Sequence, residues 1–458
     1  MRDMISNTRY AGPGAVSLHN LWVRLCPLLL LLFLLLASGC TASTAEKVDA
    51  QHAANRQIVV LWHTFTGVEA KGLETLTDRF NADNPWGIVL ITEYQQRLVE
   101  KLRDAPEVRP DLMTIWPQDL QTYMGLGIEG VSPLQSPEVQ EIWEDVLPMA
   151  RSLYAINGEP QALPLGLATY IAYHNVEWLG DLGYMATTAT WEDFRRTACG
   201  ATDPLRGQVG VGMPARASTL LAFLTASGSQ IVGEDGYYQF ADPDGRAAAA
   251  VLHGVVSSQC GLIYEDWDVG LSRLSKSSMA MIIESSEYLA DIEYAILKGR
   301  NFPLGISPLP GLDSPGPTLW YGPGLMISAP EGERSEAALK VMSWFFSPES
   351  QKYWGSTTPY LPIRRSVIET ALGKAQQTIS ASLDMQLWSL TLAAADADAW
   401  VSWPLPTHRI TCRASLLRAL LALQNVDADA PAYIDTAVTA CNTGVGYRPL
   451  PTPTPLPE

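Results

Sequence analysis

Basic residues are scarce in this chain of 458 residues: 31 lysines and arginines face 48 aspartates and glutamates, giving a net charge of −17 and a pI near 4.8. No basic field is therefore available to hold a nucleic-acid backbone, which argues against polyanionic partners. Charged residues of either sign make up only 17%, below the usual quarter, which fits a polar, uncharged surface working outside the cytoplasm. The N-terminal apolar run, Leu25 to Ala37, is thirteen residues long, short of the roughly 20 that span a bilayer. No G-x-S-x-G, H-E-x-x-H or P-loop occurs, so the enzyme classes that carry those motifs find no support, and no cofactor or metal is expected. No repeat period is visible. What is abundant is core-forming material: 47% apolar residues, with 14 Trp and 17 Tyr, enough for two or three domains.

Arg2, Arg9 and Arg24 precede the apolar run, and Ala37-Ser38-Gly39-Cys40 closes it with small residues before a cysteine. That is the grammar of a signal-peptide h-region, with an uncleaved anchor as the alternative. Leu-Ala-Ser-Gly-Cys resembles the lipobox of bacterial lipoproteins, with Ala37 where leucine is commonest, and this resemblance implies that Cys40 is the lipidated mature N-terminus. Loss of residues 1–39 removes three arginines and one aspartate, leaving 28 basic against 47 acidic residues, or −19. Residues 40–56 then form a polar tether between lipid and domain.

Cys26 leaves with the signal and Cys40 carries lipid, so four cysteines remain in an exported chain, where an even number suggests disulfides over free thiols. Three connectivities are possible. Cys412 opens one helical pattern and Cys441 closes the next, and those two ends adjoin in an antiparallel hairpin, so Cys412–Cys441 is the favoured pair. This leaves Cys199 with Cys260, each at a helix end and each followed by glycine, a stop signal. Loop entropy assigns about 3.5 kcal/mol to the shorter closure and about 4 kcal/mol to the longer, as upper estimates.

Gln57–Trp62 and Gly87–Tyr94 read as strands around a helix over Ala70–Phe80, and LVEKLRD followed by DLMTIW repeats the order. Strand, helix, strand is βαβ grammar, so the fold class is α/β, with parallel strands covered by helices. Extended residues follow at Ala162–His174, a helix at Trp191–Ala198 behind the cap Thr190, a helix at Arg246–Cys260 and a strand at Ser278–Glu284. Gly305–Pro310 reads as a Pro-rich crossing segment, Gly324–Ser328 as a strand, Glu336–Phe346 as an amphipathic helix, and the chain finishes in helices. Residues 447–458, with five prolines, form a polyproline-like tail with nothing to pack.

Three ordered signatures, VVLWHTFTGVEAKGLETLTDRFNADNP at 59–85, PDLMTIW with a following Asp119, and SMAMIIESSEYL at 278–289, look like family 1 extracellular solute-binding proteins. That group holds the maltose-binding and glycerol-3-phosphate-binding receptors of ABC importers. The likeness continues through PLPG, YGPGL, EAALKVMSWFFSPESQKYW and YLPIRR, so it covers most of 57–445. It implies a two-lobed, type II periplasmic-binding fold with a ligand cleft between mixed sheets, lobe 1 at 57–165 plus 324–346 and lobe 2 at 166–323 plus 347–446. It also implies a monomer that binds a carbohydrate-like solute, closes by a hinge and delivers it to the transmembrane subunits of an ABC permease, tethered to the outer face of the membrane by lipid.

A hydroxyl-rich ligand needs aromatic faces for its C–H surfaces and short polar groups for its hydroxyls. Trp62 to Gly67 lies where a strand gives way to a helix, so Thr64, Thr66 and backbone N–H groups converge at a helix N-terminus. Trp62 reads equally as core, and His63 as a structural histidine. Trp116 and Asp119 follow the PDLMTIW strand, and the resemblance gives an acidic residue near this turn to sugar hydroxyls; the other reading of Asp119 is a helix cap. Glu284, Ser285 and Ser286 end a strand at a turn that faces ligand in relatives. Some sugar receptors carry a tryptophan there, and its absence here separates the specificities. Gly322-Pro323-Gly324, after Trp320 and Tyr321, permits close backbone approach to ligand or a tight turn between lobes. Tyr94, Tyr170, Arg364, Trp400 and Trp403 complete the set. The two tryptophans are expected as exposed residues of a loop ahead of Pro404, and Arg364 as a phosphate or carboxylate grip or part of a structural turn. The rival class is a surface hydrolase of glycans using paired carboxylates among Asp119, Glu284 and Asp268.

Overall fold

The computed structural model describes residues 57–443 apart from 106, 129, 157, 185–187, 234, 376–381 and 404–408. Cys26, Cys40, the tether and the Pro-rich tail lie outside these. Among the described residues no helix is long and apolar enough to cross a membrane.

The strands in chain order are β1 (Gln57–His63), β2 (Ile88–Tyr94), β3 (Leu112–Ile115), β4 (Ala155–Ile156), β5 (Glu159–Pro160), β6 (Leu163–Pro164) and β7 (Ala168–Asn175). They continue as β8 (Val209–Pro214), β9 (Gly261–Tyr264), β10 (Met279–Ser285), β11 (Leu304–Pro308), β12 (Thr318–Tyr321), β13 (Gly324–Ile327) and β14 (Trp400–Ser402). Apart from β4 and β5, which pair as a separate two-stranded antiparallel sheet, they build two mixed sheets with flanking helices. The first has the order β2-β1-β3-β13-β6, with β1 parallel to β2 and β3 and with β13 antiparallel to β3 and β6. The second has the order β14-β12-β7-β10-β8-β9, and β11 shares the β12 edge of β7.

The first βαβ unit forms where apolar runs and helical spacing coincide. Leu73, Leu76 and Phe80 of the helix Gly67–Asp83 are buried against the sheet. Asn81 and Asn84 then bond the free edge of β2: the Leu90 amide donates to Asn81 Oδ1 (2.8 Å) and the Ile88 amide to Asn84 Oδ1 (3.1 Å). These amides replace a neighbouring strand at an otherwise open edge. The helix Trp191–Gly200 starts at Thr190, whose hydroxyl accepts from the Asp193 amide (3.2 Å).

The chain passes between sheets at three places that touch one another. The Leu165 amide donates to Pro323 O (2.7 Å), and Leu167 and Leu361 exchange amide bonds of 2.9 and 2.8 Å. Glycine is required at the contact: a Cβ on Gly322 would lie 2.0 Å from Gly166 O, and one on Gly166 would lie 2.5 Å from Tyr360 Cβ. The buried Tyr154 hydroxyl sits between Ile115 O (2.9 Å) and Gly322 O (2.7 Å), linking the first sheet to a crossing segment.

Three local readings change. Gly305–Pro310 is mainly β11, paired antiparallel along β7 from Leu304 to Pro308. Trp400–Ser402 is β14, parallel to β12, so its backbone is laddered instead of looped, and both Trp400 and Trp403 are half-buried. The helix holding Cys199 does end on the following glycine, Gly200, which lies against the Tyr184 ring, but Gly261 begins β9, and the left-handed residue after the helix Pro243–Ser257 is Gln259 (φ 59°). Both expected disulfides, Cys199–Cys260 and Cys412–Cys441, are present.

Candidate functional site

β12 and β10 both run antiparallel to β7, β8 runs parallel to β10, and β14 runs parallel to β12. The carboxyl ends of β8, β10, β12 and β14 therefore leave the second sheet on one side, and the residues just beyond them are what the fold gathers. Arg216 and Ser218 follow β8, Glu287 and Tyr288 follow β10, Tyr321 ends β12 and Trp403 follows β14. Trp116 and Gln118 follow β3 of the first sheet. Together with Tyr170, Tyr238 and the helix Arg409–Ala422, which presents Cys412, Arg413 and Leu416, they line a cavity of about 390 Å³. Ligands of open α/β sheets bind at such carboxyl ends.

Its aromatic rings fall in two groups, the second reaching Tyr360 just off the wall. Trp403 meets Tyr321 edge-on with centroids 5.7 Å apart, Tyr321 lies 6.2 Å from Tyr170, and Trp116 meets Tyr360 at 6.2 Å. Polar groups are set among the rings. The Tyr170 hydroxyl donates to Ser218 Oγ (2.6 Å). Glu287 Oε2 accepts from the Tyr321 hydroxyl (2.8 Å) and from Ser285 Oγ (3.0 Å).

Arg216 is held from behind. Its Nη1 donates to Glu284 Oε1 (3.0 Å), the oxygen that also accepts from the Ser285 amide (2.8 Å), and its guanidinium carbon is 5.2 Å from the Tyr288 ring centroid. Glu284 is fully buried, and its Oε2 has no hydrogen-bond partner among the described residues. Burial pushes its carboxyl up to about 7, with the Arg216 charge pulling the other way. Arg413 forms no ion pair or hydrogen bond with the described residues. A guanidinium fork, a carboxylate and several hydroxyls between ring faces match the groups a sugar presents.

Of the residues singled out in the sequence, Trp116, Tyr170 and Trp403 lie on the cavity wall. Glu284 and Ser285 sit directly behind it through Arg216 and Glu287, and Ser286 accepts from the Thr169 amide (3.1 Å) at the same strand end. Asp119 ends the short 3-10 turn beside Gln118, and its side chain does not cap the helix it precedes. Gly322 is at the crossing contact. Trp62 is buried core, its Nε1 donating to Glu93 (2.8 Å) and its ring covered by Lys101 Nζ at 3.7 Å. Trp320 is buried and donates to Thr318 Oγ1 (3.2 Å), while Arg364 pairs with Asp145 (2.6 Å) and caps Phe346 O (3.0 Å). The Thr64 amide donates to Thr114 Oγ1 (3.2 Å), Tyr94 is half-exposed beside His63, and Trp400 packs into the core. Asp268 lies in the helix Trp267–Ser275, off the wall. Sequence reading did not single out Arg216, Ser218, Glu287, Tyr288 or Gln118. Position just past a strand end was the available signal. Among the described residues no group of three or more His, Cys, Asp or Glu is placed to hold a metal ion.

The sequence profile of bacterial extracellular solute-binding proteins matches residues 75–403. No curated protein matches in sequence. Among solved structures, the chain is similar to a cyclic alpha-maltosyl-1,6-maltose binding protein from Arthrobacter globiformis (TM-score 0.70, 18% identity, covering 85% of this chain and 100% of that one). It is also similar to the GacH receptor of Streptomyces glaucescens, solved with acarbose (0.67, 18%, 84% and 97%). A third is UgpB from Mycobacterium tuberculosis, solved with glycerophosphocholine (0.65, 17%, 84% and 97%).

Proposed function

The chain belongs to the bacterial extracellular solute-binding proteins, and we propose that within that family it captures a sugar or oligosaccharide in the cavity between its sheets and hands it to an ABC permease. The observation that carries this reading is the wall itself, where the Trp403–Tyr321–Tyr170 ring series lines one cavity with the Arg216 and Glu287 side chains. Ring contacts of about 0.5–1.5 kcal/mol each add to burial towards the roughly 8 kcal/mol of a micromolar complex. One proposed lobe comprises 57–165 and 324–357 around the first sheet, the other 166–323 and 383–443 around the second. Pro348–Thr357 goes with the first because a Cβ on Gly72 would meet Thr358 and Trp354. Cys40 is proposed as the lipidated N-terminus of a monomer on the outer face of the membrane.

The glycan-hydrolase reading requires two carboxyl groups facing the scissile bond. Glu287 is the one carboxylate on the described wall, and it is engaged by Tyr321 and Ser285, which supports a receptor. Thermal shift against a panel of oligosaccharides, polyols and glycerophosphodiesters tests the proposal. A stabilising compound at a hundredfold excess over Kd contributes about 2.7 kcal/mol and should be recovered intact. Cleavage of that compound would overturn the receptor reading, as would a panel in which no compound stabilises the protein.

A further inference from the structure

The C-terminal helix Ala430–Thr443 does not line the cavity, yet two consecutive residues near its end each hold a residue that does. Cys441 is disulfide-bonded to Cys412, beside Arg413 on the wall helix. Asn442 forms a two-way bridge with Tyr238: the Tyr238 amide donates to Asn442 Oδ1 (2.8 Å) and Asn442 Nδ2 donates to Tyr238 O (2.8 Å). The same helix is fixed from outside by Arg246, which pairs with Asp435 at 2.7 Å. Tyr238 and Cys412 come from segments far apart in sequence, and this helix end bonds both. By contrast, Cys199–Cys260 joins the helix Trp191–Gly200 to the start of β9, away from the wall.

We infer that Cys441 and Asn442 are positioning residues for the ligand cavity, and that reduction of the Cys412–Cys441 disulfide loosens the wall and lowers ligand affinity while the fold persists. The inference rests on the cavity being the ligand site. A dithiol would supply the chemistry: its two thiols give two electrons and two protons, the Cys412–Cys441 S–S bond breaks to two thiols, and the dithiol closes to its own disulfide.

The test compares the oxidised protein, a Cys412→Ser/Cys441→Ser variant, a Cys199→Ser/Cys260→Ser control and Asn442→Ala, which keeps the disulfide. Backbone hydrogen exchange is read first. Loss of Cys412–Cys441 should speed exchange about tenfold or more in residues 412–416, and Asn442→Ala should do so at the Tyr238 amide, with the first sheet unchanged. With maltotetraose as probe, Kd should rise roughly fivefold or more in both wall variants and stay level in the control. Unchanged wall exchange would overturn the inference, as would a rise spread evenly over the chain and matched by the control. If maltotetraose binds no form, the panel of the preceding section bears on the sugar reading, and the exchange comparison alone decides this proposal.

Discussion

Glu284 and His174 are both buried and titrate in opposing senses. Burial raises Glu284 from 4.5 to about 7, so its contribution to stability is full below about 4.5 and is lost as pH rises through about 7. Burial lowers His174 from 6.5 to about 4, so its contribution is full above about 6.5 and is lost as pH falls through about 4. The two slopes overlap and offset, each on the order of 3 kcal/mol across its window. Relative to the parent, Glu284→Gln should gain stability as pH rises from 5 to 7, and His174→Gln should lose it. Denaturant titrations over that range check the signs, and parallel profiles for all three proteins would contradict the assignment. Two tryptophans that look alike in sequence should also separate. Trp403→Ala should weaken sugar binding roughly tenfold with a folded protein. Trp320→Ala, which removes a fully buried side chain, should cost about 3–5 kcal/mol of stability in a melt.

Elements were legible in the sequence where one apolar period dominated. The first βαβ unit has that property, as does the closing helical hairpin, whose cysteine positions already brought two helix ends together. β8 did not read as a strand because Val209–Pro214 contains two glycines. The structure accounts for both: a Cβ on Gly210 would lie 1.8 Å from Ala198 O, and one on Gly212 would lie 2.1 Å from Met279 Sδ. These are packing glycines inside a buried strand, and no local pattern distinguishes them from turn glycines. Missing β8 hid Arg216 and Ser218, which matter only because that strand ends at the cavity. Glycines at the crossing and on a helix face should likewise respond in opposite ways. Gly322→Ala must displace the Gly166 carbonyl and should cost about 1–3 kcal/mol. Gly254→Ala, whose nearest neighbour is Arg195 Cδ at 3.9 Å in mid-helix, should stabilise by about 0.5–1 kcal/mol. Chemical denaturation of the pair checks both signs.

On the scale of the whole molecule, two sheets meet through three touching crossings, and the cavity takes residues from both: Trp116 and Gln118 from the first, the rest of its wall from the second. A solute held by both sides favours whichever arrangement brings them together, by as much as its affinities for the two arrangements differ. Small-angle X-ray scattering, with and without a saturating concentration of the sugar that most stabilises the protein, measures that directly. The radius of gyration should fall when the sugar is bound and return to its starting value after dialysis releases the sugar unmodified. An unchanged scattering curve at full occupancy would contradict capture by closure of the two sheets over the ligand.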